Sequence, residues 1–150
     1  MQLSNFIRID RLIDVNYQDH LSTLELLIKS AIPHLSSDIQ FHAFEEIRSR
    51  SDSKEINLGS GFAMSHLRLE EIQNTYLSVG LLGSKTDYLK GDPVHTVFCI
   101  LIPQDKSREY LSFMTNLSRF LMIPEIEKHF LARNHSEIIN AIAQFDQSRS

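Results

Sequence analysis

Cysteine is nearly absent from this chain, and long apolar stretches are missing. Cys99 is the only cysteine in 150 residues, so an intramolecular disulfide is impossible, and its place within an apolar run predicts a buried, inert thiol. That run, residues 97–102, is far shorter than the roughly 20 residues that a membrane helix needs. The first residues also lack the basic and then apolar order of a signal peptide. We therefore expect no membrane insertion and a cytoplasmic location.

Neither sign of charge is in large excess. The formal net charge is -4 at pH 7, and the lysines and arginines do not cluster into a basic stripe, so nucleic-acid binding is not expected. No two histidines lie three or four residues apart, which leaves a metal site unsupported. Glycine-rich nucleotide loops and a G-x-S-x-G elbow are missing as well, so no bound organic cofactor is expected.

The length of 150 residues and the periodicity predict one α/β domain that spans residues 1–150. Short apolar runs alternate with amphipathic stretches, which is typical of a layered fold. We expect a central, mixed but mostly parallel sheet of about five strands with helices on both faces. The predicted strands cover residues 62–65, 75–82 and 96–102, with a shorter one near 12–16.

The helices are predicted from caps and from the spacing of apolar residues. Capping boxes at Ser22 and Ser37 begin two helices, of which the second runs to about Arg50. Later helices cover residues 106–121, a short segment to about 131, and a last one capped by Asn134. Residues 51–58 are predicted to form a loop and residues 83–87 and 90–93 to form turns. The tail from Asp146 is expected to fray.

One histidine follows a short apolar segment that begins in glycines, Gly59-Ser60-Gly61-Phe62-Ala63-Met64-Ser65-His66. An imidazole offers a neutral nitrogen nucleophile near physiological pH, so a histidine placed in this way can carry a phosphoryl group. Glycines just upstream allow backbone N–H groups to approach an anion. The other interpretation of the same pattern is a turn followed by a strand end, where the histidine is hydrogen-bonded locally.

The residues on either side of this segment make it more specific. Arg50 closes the predicted second helix, and Arg68 follows His66 by two residues. Together they resemble the IIA components of the mannitol and fructose branch of the bacterial phosphotransferase system, which includes the nitrogen-regulatory IIA protein. In that family a helix ends in an arginine, and a G-x-G-[IF]-A-[IM]-P-H type of segment presents the phosphorylated histidine. Residues 92–103 and 110–117 match the next strand and helix.

The resemblance covers nearly the whole chain but has three departures. Ser65 replaces the family's proline, Ile56 replaces a small hydroxyl residue, and Tyr110 lies where many members carry a second active-site histidine. A tyrosine hydroxyl donates a hydrogen bond but does not become cationic near neutral pH. Without the proline, which fixes φ, the backbone before His66 is less restrained.

The resemblance implies a phosphocarrier rather than a free-standing enzyme. His66 would accept a phosphoryl group from an HPr-type protein, Arg50 would hold the phosphoryl oxygens, and the group would pass to a IIB cysteine or act as a regulatory signal. Gly59, Gly61, Arg68 and Tyr110 are the candidate supporting residues. A second hypothesis is a degenerate IIA-like module that binds a regulatory partner without carrying phosphate. A third is an unrelated α/β domain with an apolar ligand pocket remote from His66.

Three of these side chains have structural interpretations that the sequence leaves open. Arg50 is also explained as a solvated charge favoured by the dipole at a helix C-terminus. Arg68 is equally compatible with anion contact and with a surface that faces a partner. Tyr110 is equally compatible with a role beside His66 and with packing at a helix start, its hydroxyl in water.

Overall fold

A computed structural model describes residues 2–49 and 55–149 of the chain. Two 3-10 turns near the N-terminus, Leu3–Asn5 and Ile9–Arg11, precede the first strand. The five strands are β1 (Leu12–Asp14), β2 (Glu55–Gly59), β3 (Phe62–Leu69), β4 (Tyr76–Leu89) and β5 (Asp92–Pro103). The helices are α1 (His20–Ala31), α2 (Ser37–Ser49), α3 (Ser107–Leu121), α4 (Ile126–Leu131) and α5 (His135–Ser148).

The strands form one sheet in the order β1-β4-β5-β3-β2. β1 pairs with β4 and β3 pairs with β5 in parallel, whereas β4–β5 and β2–β3 are antiparallel pairs. The sheet is therefore mixed, with as many antiparallel as parallel pairings. This arrangement confirms the predicted α/β class, with a five-stranded mixed sheet between two layers of helices.

The two sides of the sheet bury separate apolar clusters. On the α3 face, Phe62, Met64 and Phe98 of the sheet pack with Phe113 and Phe130 from the C-terminal helices. On the opposite α1 face, the sheet packs against α1 and α2 instead. Alternate residues of one strand point to opposite faces, so β3 contributes to both clusters: Ala63, Leu67 and Leu69 belong to the α1 face. This alternation decides on which face each functional side chain lies.

Local capping explains where two of the helices begin. The Asn134 side chain accepts a hydrogen bond from the backbone N–H of Glu137 at 3.2 Å, which confirms the predicted cap of α5. The predicted cap of α1 was wrong by one turn. Asp19, not Ser22, is the N-cap, and its carboxylate accepts from the Ser22 N–H at 2.7 Å. A carboxylate at this position also interacts favourably with the helix dipole.

Strand lengths differ from the sequence-based predictions in three places. The prediction of a loop at 51–58 is wrong for its second half, which belongs to the edge strand β2. Residues 51–54 lie outside the described residues. β3 continues to Leu69 instead of ending at residue 65. β4 continues through the predicted turn at 83–87, where the register shifts and Gly83 adopts a φ of 79°. A bulge therefore replaces the turn, and the chain reverses at Gly91.

The prediction that the chain frays from Asp146 is wrong for the described residues, which end at Arg149. α5 continues to Ser148, and the Asp146 carboxylate accepts hydrogen bonds from the backbone N–H groups of Leu3 and Ser4 at 2.9 and 3.0 Å. Cys99 is buried within β5 as predicted, and burial raises the pKa of its thiol to about 12. Within the described part of the chain, no helix is both long and apolar enough to cross a membrane.

Candidate functional site

His66 lies inside β3, opposite Ile100 of the parallel neighbour β5. It is half-buried, whereas Ser65 and Leu67 on either side are buried. Because strand residues alternate, His66 shares the α3 face with Phe62 and Met64. The imidazole is therefore held on a regular strand with part of its surface open to solvent.

Tyr110 brings the first turn of α3 against this imidazole. The two ring centroids are 5.6 Å apart and the ring planes differ by 21°, so the rings are stacked. Burial raises the pKa of the Tyr110 hydroxyl, and the charge of Arg68 acts in the opposite direction. The hydroxyl is therefore protonated near neutral pH and available as a donor. Tyr110 also lies at the positive end of the α3 dipole.

Arg68 lies two residues beyond His66 on β3, so the strand alternation places both on the same face. Its side chain is exposed, and its charge is felt by Tyr110. Three of the predicted site residues, His66, Arg68 and Tyr110, thus come together at one place. Tyr110 lies 44 positions after His66 in the sequence, and the structure shows that β3 and α3 meet there.

Gly59 and Gly61 lie at the other end of β3, in the hairpin that joins it to β2. His66 lies five positions after Gly61, which is roughly 16 Å of extended strand. Both glycines have positive φ, 88° and 86°, and so does Ser60 between them. A Cβ on Gly61 would come within 2.3 Å of the His95 ring. The glycines therefore shape the hairpin and its packing, and the structure does not bring them to His66.

Arg50 lies outside the described residues. α2, which precedes it, packs Ala43 and Ile47 on the α1 face, opposite the face that carries His66. Arg48 is the last described arginine of α2, and its guanidinium forms two hydrogen bonds to the Glu45 carboxylate.

A largely buried polar cluster behind His66 was missed by the sequence analysis. The Ser65 hydroxyl donates to Glu55 Oε2 at 2.5 Å, and the Tyr88 hydroxyl donates to Glu55 Oε1 at 3.2 Å. His20 Nε2 lies 2.7 Å from the same Oε1. These four residues, which we call the Glu55 cluster, lie on the α1 face of the sheet. The alternation of Ile56 and Leu58 with polar residues is a strand signal that could have placed Glu55 beside β3.

An apolar cleft of about 240 Å³ lies on the α1 face, between α1 and α2. It is lined by Glu25, Lys29, Ser37, Gln40, Phe41 and Phe44. Its volume is below the roughly 300–1,000 Å³ typical of small-ligand sites. This cleft by itself therefore gives little support to the hypothesis of an unrelated ligand-binding domain.

Comparisons with known proteins confirm the resemblance seen in the sequence. A nitrogen regulatory protein of Klebsiella oxytoca is 26% identical over 143 residues, 91% of this chain and 86% of that protein. The structure of nitrogen regulatory protein IIA-Ntr from Neisseria meningitidis has a TM-score of 0.73 at 16% identity, over 93% of this chain and 98% of that one. The mannitol-specific cryptic phosphotransferase enzyme IIA CmtB of Escherichia coli has a TM-score of 0.72 at 18% identity, over 96% and 99% of the two chains.

At these identities the two structures show a common fold. The family assignment rests on the sequence itself. A family model described as phosphoenolpyruvate-dependent sugar phosphotransferase system, EIIA 2, matches residues 10–145, which is most of the chain. The chain therefore belongs to the EIIA 2 family of the phosphoenolpyruvate-dependent sugar phosphotransferase system.

Proposed function

We propose that this chain is a cytoplasmic histidine phosphocarrier formed by a single IIA-type domain. His66 accepts a phosphoryl group from an HPr-type protein and passes it to a IIB cysteine or holds it as a regulatory signal. The observation that carries the proposal is the half-buried imidazole of His66 stacked on Tyr110, with the cationic Arg68 on the same face. Family membership and the nitrogen regulatory relatives support it.

The transfer needs positioning and charge neutralisation more than covalent chemistry. A lone pair on a neutral His66 ring nitrogen attacks phosphorus, a new P–N bond forms, and the P–N bond of the donor phosphohistidine breaks with its electron pair returning to the donor imidazole. The phosphoryl group is loosely bonded to both nitrogens in the transition state. Its oxygens carry negative charge, which nearby cations and hydrogen-bond donors stabilise.

Three side chains have roles in this proposal besides His66. Arg68 supplies positive charge on the same face, and the Tyr110 hydroxyl supplies a neutral donor. Arg50 supplies a planar guanidinium whose geometry matches phosphoryl oxygens, a role that rests on the family resemblance. Gly59 and Gly61 have no part in the proposal, because they lie at the hairpin.

The test is phosphorylation in a purified system of phosphoenolpyruvate, the first enzyme and HPr. Wild type is expected to gain one phosphoryl group by intact-mass spectrometry, and His66→Ala is expected to gain none. The matched control is His42→Ala, which removes a half-exposed imidazole from α2 and should be labelled like wild type. Equal labelling of His66→Ala and wild type would remove His66 from the role.

Tyr110 favours a second candidate function, a IIA-like module that binds a partner without carrying phosphate. Its hydroxyl cannot supply the positive charge that a histidine could at this position. If this function is correct, the same incubation adds no mass to wild type, while binding to a regulatory partner persists in His66→Ala.

A further inference from the structure

We propose that Ser65 is a positioning residue for His66, and that the Glu55 cluster fixes the strand segment from which the imidazole projects. The inference rests on the proposed phosphocarrier function for its kinetic consequence. Its structural consequence, the orientation of the His66 ring, is independent of that function.

The first observation is the position of Ser65. It immediately precedes His66, it is fully buried, and its side chain lies on the face opposite to His66. Ser65 is paired on both sides, with Glu55 of β2 and with Cys99 of β5. One peptide group joins Ser65 to His66. An anchored Ser65 side chain therefore limits rotation of that peptide group, which sets the direction of the His66 Cα–Cβ bond.

The second observation is how strongly this side chain is anchored. Its hydroxyl donates to Glu55 Oε2 at 2.5 Å and lies 3.0 Å from the Tyr88 hydroxyl. The Glu55 side chain is only 8% exposed, so its carboxyl oxygens need hydrogen-bond partners within the protein. Burial and the nearby Glu55 charge raise the pKa of Tyr88 well above its ordinary value, which keeps its hydroxyl protonated as a donor.

The third observation is that the cluster joins four separate elements. Glu55 begins the short edge strand β2, Ser65 belongs to β3, Tyr88 to β4 and His20 to the start of α1. The His20 and Tyr88 rings also pack together, with centroids 4.4 Å apart. An edge strand of five residues has few hydrogen bonds of its own, so these contacts hold the end of β2 against β3 at the level of His66.

Together these contacts supply a restraint that serine alone does not have. A proline before the histidine, as the family resemblance implies, fixes φ covalently. A serine has no covalent restraint on φ, and at Ser65 the strand pairing together with the side-chain hydrogen bond to Glu55 takes its place. Small displacements of a reacting group can lower transfer rates greatly, so loss of the anchor is expected to slow phosphoryl transfer without changing how tightly the donor binds.

The experiment compares Ser65→Ala, Ser65→Thr and Ser78→Ala with wild type. Ser78 provides a matched control, because it is also fully buried, pairs with the same Cys99 from the other side, and donates to the Leu27 carbonyl at 2.6 Å. Ser78→Ala removes one buried hydrogen bond, whereas Ser65→Ala removes the bond to Glu55 together with the contact to the Tyr88 hydroxyl. Of the two serines, only Ser65 belongs to the Glu55 cluster, and Ser65→Thr keeps the hydroxyl there.

We expect Ser65→Ala to lower the maximal rate of phosphorylation by HPr about tenfold, with the half-saturating HPr concentration unchanged. Ser65→Thr should stay within about twofold of wild type. Ser78→Ala should lower the melting temperature but leave the rate unchanged. A wild-type rate in Ser65→Ala, or an equal loss of rate in Ser78→Ala, would overturn the proposal.

A second readout does not require phosphorylation. Because the Tyr110 ring is stacked on His66, its ring current is expected to shift the NMR signals of the His66 ring protons, so a change in imidazole orientation should change those shifts. Ser65→Ala should move them and Ser78→Ala should not. If wild type gains no phosphoryl group, the phosphocarrier function fails, and these shifts alone decide whether Ser65 positions His66. Unchanged His66 shifts in Ser65→Ala would sink the positioning role.

Discussion

A phenol ring, rather than a second imidazole, lies against His66. Like a histidine at this position, Tyr110 provides an aromatic ring beside His66 and one hydrogen-bond donor. Unlike a histidine, Tyr110 cannot become positively charged. Burial raises the pKa of its hydroxyl, so the group stays neutral near pH 7. In the proposed phosphocarrier, neutralising a phosphoryl group on His66 would therefore depend on arginine side chains such as Arg68.

Tyr110→Phe tests the donor while keeping the ring. If the hydroxyl donates to the transferring group, its loss should cost about 1.5 kcal/mol of transition-state stabilisation, which is about tenfold in rate. The initial rate of phosphorylation by HPr measures the effect. Tyr17→Phe is the control, because its hydroxyl donates to Asp87 at 2.8 Å on the α1 face. A wild-type rate in Tyr110→Phe would show that only the ring matters.

The hairpin between β2 and β3 determines how β3 enters the sheet. Three successive residues, Gly59, Ser60 and Gly61, have positive φ, which favours glycine at the first and third. His95 is fully buried beneath this turn, where its Nε2 donates to the Ser60 carbonyl at 2.9 Å. Burial lowers the pKa of His95, so the ring is neutral at pH 7. The turn and the buried ring therefore form one packed unit.

Gly61→Ala and Gly59→Ala separate backbone strain from packing in this hairpin. Both place a Cβ at positive φ, which costs about 1–2 kcal/mol. At Gly59 nothing lies within 4 Å of the new atom, whereas at Gly61 it would clash with the His95 ring. We expect Gly61→Ala to lose about 2 kcal/mol more than Gly59→Ala in the free energy of unfolding by urea. Equal losses would mean that His95 moves aside freely.

The accuracy of the sequence-based predictions varied from element to element. β5 and α5 were predicted because an apolar run and an asparagine cap are local signals. β2 was missed because its polar half resembles a loop. His66, Arg68 and Tyr110 could be proposed as site residues from the family resemblance. The Glu55 cluster could not, because His20, Glu55 and Tyr88 are far apart in the chain and meet only once the strand register is known.

The two ends of the chain stabilise each other. Asp146 near the end of α5 accepts from the backbone of Leu3 and Ser4, which belong to a 3-10 turn packed on the α3 face. Arg133, just before α5, donates to the carbonyls of Val15 and Leu82 at 3.0 and 2.6 Å. The C-terminal helix is thus linked to the sheet and to the N-terminus through polar contacts that are buried or partly buried.

Asp146→Ala is expected to lower the free energy of unfolding by about 2 kcal/mol, since it leaves two backbone N–H groups without their carboxylate. Urea unfolding measures the loss, and the Leu3 and Ser4 amides should exchange hydrogen faster. Gln144→Ala changes an exposed residue of the same helix and should have little effect. If the two variants unfold alike, the contact between the chain ends contributes no stability.

The rigidity of β3 limits how a binding protein could recognise phosphorylation of His66. His66 projects from a strand whose preceding residue is paired on both sides, so an added phosphoryl group has little freedom to remodel the backbone. It would instead add about −1.5 to −2 units of charge to a chain whose formal net charge is -4. A binding protein would then distinguish the two forms by local electrostatic potential, and salt would weaken that discrimination.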